Sequence, residues 1–201
     1  MRLKGVKLRR AVPRRRRKLR PVELIPAGGV DRGLLDELGQ ALQAELGVQW
    51  RVGDALPLDE AWRETEGGAY RSIHLMHALM DRVQGGAGKR AGRTWRLAIA
   101  DAGLCVEGVG EVFGEAAMEG CCAVVGVAPL RAGSGADGQV LRARLLTVAV
   151  HELAHLAGVA HCRRASCVMY PSRHIADTDR KRHTFCAECR RTLNLRGLQE
   201  T

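Results

Sequence analysis

The chain has 201 residues, enough for one domain with a substantial hydrophobic core, and its 32 Lys and Arg against 22 Asp and Glu give a formal net charge of +10. It contains no run of 18 apolar residues, which excludes a transmembrane helix, and residues 1–20 lack the apolar stretch of a secretory signal. A cytoplasmic location is therefore predicted, where the seven cysteines are expected to be reduced thiols or metal ligands and not disulfides.

The whole excess of positive charge lies at the start of the chain. Residues 1–20 hold 11 of the basic residues and no acidic residue, so the remainder is close to neutral. Such a run repels itself and has little to bury, which predicts a disordered arm at 1–20. A solvated tail is the plainer interpretation, and non-specific contact with RNA, DNA or anionic lipid is the alternative. Residues 21–201 are predicted to form a single catalytic domain.

Hydrophobic patterns predict strands and helices in alternation along the first part of this domain. Strands are predicted at 22–26, 48–52, 94–100 and 121–127, and helices at 32–46 and 71–83. Loops are predicted at 53–69, 84–93 and 131–138. The order β-α-β-α-β favours an α/β (α+β) fold in which helices pack on a mixed sheet. On the second helix the apolar periodicity predicts a core-facing side made of Ile73, Met76, Leu79, Met80 and Val83.

A long helix of about 20 residues follows and ends at Gly158, within the string HELAHLAGVAH at 151–161. His151 and His155 are four residues apart, so both imidazoles share one helical face and can bind one metal ion. Gly158 permits a positive φ, so the chain can turn back and bring His161 to the ion as a third ligand. Three protein ligands leave a position open for water, which is typical of a catalytic zinc site.

Glu152 lies between the two helical histidines, one step round the helix, within reach of a water on the metal. Zinc lowers the pKa of a bound water towards about 7, and a carboxylate can then accept the proton. The string predicts hydrolysis of peptide bonds by zinc-activated water, with Glu152 as the general base. Hydrolysis of a non-peptide amide stays open, since metal ligands do not fix the substrate.

A second set of metal ligands begins directly after the third histidine. Cys162 and Cys167 are five residues apart, and Cys186 and Cys189 form a C-x2-C pair. Four thiolates in two such pairs are the number that a closed tetrahedral zinc site requires. Because residues 159–201 have few apolar side chains, a metal cross-link is a reasonable substitute for a core there.

These motifs together resemble the archaemetzincins, a family of zinc metalloproteases in the metzincin clan. The resemblance is carried by HELAHLAGVAHC, CVM and FCAEC, and it extends to IADTDRK at 175–181, to 99–116 with its FGEA segment, and to 120–131. It covers roughly residues 20–190 and is most specific in the last third of the chain.

The resemblance implies two zinc ions. One would be catalytic, held by His151, His155 and His161, with Glu152 as base; the other would be structural, held by Cys162, Cys167, Cys186 and Cys189. Met169 would form a Met-turn beneath the imidazoles. The implied fold is a twisted mixed sheet with a backing helix and an active-site helix, divided into an upper part (21–158) and a small irregular lower part (159–201). A peptide or protein substrate would lie extended, paired with the strand at 121–127.

A competing function is a zinc-stabilised binding protein with weak or vestigial hydrolysis that uses its basic arm on nucleic acid. The intact Glu152 favours the enzyme. Outside the main motifs, His74, His77 and His174 are expected to be ordinary exposed histidines, with cleft or metal roles as the alternative. Cys105, Cys121 and Cys122 are expected to act as small buried hydrophobes, with coordination of the catalytic zinc by Cys121 or Cys122 as the alternative.

Overall fold

A computed structural model describes residues 19–64, 68–85, 93–133, 135 and 138–193, without the side chains of 84 and 85. The predicted basic arm therefore lies outside the described residues except for its last two positions, as do most of 84–93 and part of 131–138. None of the described helices combines the length and apolarity that crossing a bilayer requires.

The central element is a five-stranded mixed sheet in the order β2-β1-β4-β8-β7, and a small three-stranded sheet, β3-β5-β6, lies beside it. The strands are β1 Val22–Ala27, β2 Trp50–Val52, β3 Tyr70–Arg71, β4 Trp95–Ala100, β5 Leu104–Val106, β6 Gly110–Val112, β7 Gly114–Ala116 and β8 Cys122–Gly126. In the main sheet β7 alone is antiparallel to its neighbour. All four predicted strands are present, and the strand predicted at 48–52 is shortened to β2.

Helices pack on both faces of the main sheet, because residues along each strand alternate between two cores. The helices are α1 Arg32–Leu46, α2 Ser72–Gly85, α3 Gln139–Leu156, α4 Ile175–Arg180 and α5 Ala187–Leu193. Val22 and Leu24 of β1 face the core that contains α1 and α3, whereas Ile25 and Ala27 face the core that contains α2. Asp31 accepts a hydrogen bond from Leu34 N and begins α1, and Gly47 in the left-handed region ends it.

The predicted core side of α2 is wrong at one position. Ile73 is 46% exposed, whereas Leu75, absent from the predicted set, is fully buried. The buried stripe consists of Ser72, Leu75, Met76 and Leu79, at the i, i+3, i+4, i+7 spacing. Ile73 lies about 200° round the helix from Leu75 and therefore faces solvent.

The prediction that the substrate pairs with the strand at 121–127 is also wrong. The predicted strand at 121–127 corresponds to β8, which lies between β4 and β7 and has both edges paired. The edge strand next to β8 is β7, a three-residue segment too short for its alternation of apolar and polar residues to be recognised in the sequence.

The lower part of the chain is more regular than predicted, since it contains α4 and α5. It has little apolar surface of its own, but Val168, Met169, Phe185 and Leu193 join the same core as α1 and α3. The fold is the predicted mixed α/β arrangement, with α3 packed on one face of the main sheet.

Candidate active site

The predicted histidines on α3 lie on a buried helical surface. His151, Glu152 and His155 are 7, 5 and 8% exposed. Val148, Ala149, Leu153 and Ala154 are also buried, so this helix is enclosed on every side along its last turns. Polar groups in such a place must be satisfied by specific partners.

The turn after α3 brings His161 back to the helical pair. Gly158 has φ 75°, and its N–H donates to His155 O at 2.7 Å, which reverses the chain. The ring nitrogen Nδ1 of His155 lies 2.8 Å from Val159 O, and Nδ1 of His151 lies 2.7 Å from Val168 O. Because a carbonyl oxygen only accepts, each Nδ1 carries the proton and each Nε2 is left with an unprotonated lone pair.

The Nε2 atoms of the three imidazoles converge. His155 Nε2 lies 3.1 Å from His151 Nε2 and 3.3 Å from His161 Nε2. Ligands about 2.0–2.1 Å from a tetrahedral zinc are separated by about 3.3 Å, so the three nitrogens fit such an ion. Since the lone pairs of His151 and His155 repel at this separation, a shared cation would stabilise the arrangement.

The three imidazoles are held in the neutral state that metal binding requires. Burial, with smaller effects of His161 and Lys181, lowers the pKa of His155 to about 4, although the hydrogen bond to Val159 O opposes the shift. Burial and the Lys181 ammonium also lower the pKa values of His151 and His161. At neutral pH the site therefore presents neutral nitrogen donors.

Glu152 is in close contact with the edge strand β7. Burial, together with the nearby charge of Glu115, raises its pKa to about 8, while Lys181 opposes the shift. A Cβ atom built on Gly114 would lie 2.8 Å from Glu152 Oε1, so the strand backbone packs directly against the carboxylate. Glu115 itself accepts a hydrogen bond from Ser72 Oγ on α2, which fixes the other side of β7.

The segment that contains Met169 lies under the histidines and is joined to both sets of predicted ligands. Met169 is fully buried, and its carbonyl accepts a hydrogen bond from Cys162 N at 2.8 Å. The neighbouring carbonyl of Val168 is the partner of His151. This segment thus couples the position of His151 to the start of the cysteine cluster.

The four predicted cysteines of the lower part form one cluster. Their Sγ atoms all lie within 4.8 Å of one another, and Cys162 Sγ is 3.8 Å from Cys186 Sγ. Thiolates about 2.3 Å from a tetrahedral zinc are separated by about 3.8 Å, so the cluster fits such an ion. Backbone N–H groups of Cys186 and Arg164 donate to Cys167 Sγ and Cys162 Sγ at 3.3 and 3.4 Å, as expected around metal-bound sulfur.

A cavity of about 420 Å³ opens in front of the histidines and Glu152. The lining residues also include Gly114, Glu115, Ser172 and Lys181, for which the sequence motifs predicted no role. Gly114 and Glu115 lie in the FGEA segment, and Lys181 ends IADTDRK, so the family resemblance covered three of them without indicating what they do.

The remaining candidates lie away from this cavity. His77 and His174 are exposed, and His74 is half-buried and stacked on Trp62 with ring centroids 6.1 Å apart. Cys122 is fully buried, and Cys105 and Cys121 are half-buried. None of these residues joins the metal-ligand clusters found among the described residues.

Comparison with known proteins identifies the family to which this chain belongs. The model of peptidase family M54 matches residues 73–195, more than half of the chain. The archaemetzincin of Thermococcus kodakarensis is 29% identical over 187 residues, 90% of this chain and 98% of the relative. A zinc-dependent peptidase from Methanocorpusculum labreanum has a similar structure, with a TM-score of 0.76 at 26% identity over 86% of this chain and 100% of that one. The Methanopyrus kandleri archaemetzincin gives a TM-score of 0.71 at 28% identity over 92% and 97% of the two chains. The chain belongs to peptidase family M54, with the archaemetzincins, and is a zinc metallopeptidase.

Proposed function

We propose that His151, His155 and His161 hold a catalytic zinc ion and that Glu152 is the general base for hydrolysis of a peptide bond. The observation that carries the proposal is the convergence of the three Nε2 atoms, with His155 Nε2 3.1 Å from His151 Nε2 and 3.3 Å from His161 Nε2, on a cavity that Glu152 also lines. A zinc ion in this position would lower the pKa of a water molecule and polarise the scissile carbonyl.

The role of Glu152 follows from its surroundings. The carboxylate follows His151 directly in the chain and lines the same cavity as the three histidines, within reach of a water molecule held there. It would accept the proton of the attacking water and then donate it to the leaving amine. Gly114 on one side limits the positions that the carboxylate can occupy.

A second, structural zinc ion is proposed for Cys162, Cys167, Cys186 and Cys189. The sulfur separations support it, as does the small apolar surface of the chain after Gly158. Through the hydrogen bond from Cys162 N to Met169 O, this ion would fix the segment beneath His151.

We propose that the substrate binds along the open edge of β7. Ala117 N donates to Cys122 O, and Gly126 N donates to Phe113 O, so the odd-numbered residues bond to β8. In an antiparallel ladder the backbone groups of Gly114 and Ala116 then point to the open edge. An extended peptide paired there would present its backbone, whatever its side chains, to the histidines and Glu152.

The test compares Glu152→Gln with wild type in two measurements. Elemental mass spectrometry gives the zinc content of each protein, and a peptide library gives the rate of cleavage. Glu152→Gln should keep two zinc ions per chain and lose at least about 100-fold in hydrolysis, because an amide cannot accept the proton. His155→Ala should lose one zinc, whereas His77→Ala, at an exposed position on α2, serves as the matched control. Undiminished turnover by Glu152→Gln would remove the assigned base.

Two expectations from the sequence stay predictions. The competing function as a nucleic-acid-binding protein depends on residues 1–20, which are almost entirely outside the described residues. Loss of RNA or DNA binding on removal of these residues would support the polyanion contact. Fractionation of cells would test the predicted cytoplasmic location.

A further inference from the structure

Lys181 is a buried cation in the catalytic cavity. It follows α4 directly, its backbone N–H bonds to Asp177 O, and only 6% of the residue is exposed. The side chain lines the same cavity as the three histidines and Glu152.

The hydrogen bonds of this ammonium are incomplete. Lys181 Nζ donates to Tyr170 O at 2.9 Å, and an ammonium has three N–H donors. Among the described residues no carboxylate oxygen lies within 4.0 Å of Nζ to form an ion pair. A buried charge without a full set of partners is costly unless a ligand completes it.

Ser172 adds a second donor on the same side of the cavity. Its hydroxyl is buried and has no hydrogen-bond partner among the described residues, although the residue lines the cavity. An unsatisfied hydroxyl and an under-coordinated ammonium in residues that line one cavity indicate a position for an oxygen atom that carries negative charge.

Peptide hydrolysis produces such an atom. The oxygen of a water molecule attacks the scissile carbonyl carbon and forms a C–O bond, while Glu152 accepts the proton. The carbonyl π electrons move to the carbonyl oxygen, which stays negative until the C–N bond breaks and the amine leaves with the proton from Glu152. We propose that Lys181 Nζ, together with Ser172 Oγ, donates hydrogen bonds to this oxygen as its charge develops. The proposal deepens the proposed function and rests on it, and it makes Lys181 a catalytic residue on the side of the cavity that includes Pro171 and Ser172.

The experiment measures three quantities for the full chain: zinc content, kcat/KM for a cleaved peptide, and affinity for a phosphinic peptide whose tetrahedral anionic centre mimics the reacting carbonyl. The variants are Lys181→Met, Lys181→Arg and Ser172→Ala. Arg182→Met, at an exposed neighbouring position, is the matched control. Affinity for the uncleaved peptide is measured in Glu152→Gln, with and without Lys181→Met.

Lys181→Met should lower kcat/KM and phosphinate affinity together, by about 10²–10³-fold, with zinc content and affinity for the uncleaved peptide unchanged. Lys181→Arg should recover part of both losses, and Ser172→Ala should show a smaller loss in both. If Lys181→Met does not fold, Lys181→Gln, which keeps a donor for Tyr170 O, is used for the same comparison.

If Lys181→Met keeps its affinity for the phosphinate and has a lower melting temperature, the proposal is overturned. Lys181 would then have only the structural role of holding Tyr170 in place. A loss confined to peptides with a free terminal carboxylate, and absent for amidated peptides, would overturn it in favour of carboxylate recognition. Failure of wild type to cleave peptides or to bind the phosphinate with zinc would instead refute the proposed function itself.

Discussion

Gly114 and Glu152 are in such close contact that a side chain on the first would displace the second. A Cβ atom at 114 would lie 2.8 Å from Glu152 Oε1, 2.9 Å from its Cγ and 2.9 Å from Val124 O. The edge strand and the active-site helix thus approach each other at the proposed base. This relationship joins the proposed substrate-binding edge to the proposed catalytic carboxylate.

Gly114→Ala should therefore reduce turnover with little effect on zinc content. The methyl group can be accommodated only if Glu152 or the strand moves, and a displacement of about 1 Å at a reacting group can cost about 100-fold in rate. Turnover and zinc content are measured together. Gly29→Ala is the control, because its Cβ would meet only Asp101 Oδ2 at 3.5 Å, an ordinary contact. Equal turnover by Gly114→Ala would show that Glu152 is not positioned by β7.

Ala116→Pro tests the open edge of β7. Proline removes the N–H that we infer points to the substrate and leaves the hydrogen bonds to β8 intact, as edge strands tolerate. We expect KM for peptides to rise by about tenfold, the loss of one hydrogen bond of about 1.4 kcal/mol, with zinc content unchanged. Ala117→Pro, which removes the bond to Cys122 O, should destabilise the fold instead. An unchanged KM for Ala116→Pro would argue against pairing at this edge.

Cys186→Ser tests the second zinc site. The variant should bind one zinc fewer than wild type and lose more than about 2 kcal/mol in the free energy of unfolding, because the lower part has little apolar surface to replace the cross-link. Metal analysis and urea denaturation give both values. Cys105→Ser is the control, since this half-buried cysteine lies outside the cluster. Two zinc ions in Cys186→Ser would contradict the assignment.

The ion pair between Arg144 and Asp179 joins the first half of α3 to α4 and predicts a pH dependence of stability. Arg144 donates to both carboxylate oxygens at 2.6 and 2.7 Å, and this contact lowers the pKa of Asp179. Since the pKa is lower in the folded state, the contribution is present above the ordinary value of 3.8 and is lost as pH falls through the folded value.

Asp179→Asn should cost about 1 kcal/mol at pH 7, a small value because Asp179 is partly exposed to solvent. The difference from wild type should shrink in urea denaturation below pH 3. Asp36→Asn, which breaks a surface pair with Arg32 at 3.4 Å, should have less effect at pH 7. A difference that persists unchanged at low pH would assign the effect to packing and not to charge.

The local motifs were predictable because their geometry is set by short-range rules. The spacing of His151 and His155 puts both on one face of any helix, and Gly158 allows the turn that returns His161. The α1 boundaries followed from Asp31 and Gly47 for the same reason. Periodicity failed at Ile73, because solvent exposure on α2 depends on which side of the helix meets the sheet.

The candidate donor groups could be predicted from the sequence alone: three imidazoles, one carboxylate and four thiols, in spacings typical of metal sites. Only the tertiary structure decided that β7 and not β8 is the edge strand, that Gly114 contacts Glu152 from 38 residues away, and that Lys181 lines the same cavity. These relationships depend on sheet order and on the packing of distant segments, and no local periodicity or spacing encodes either.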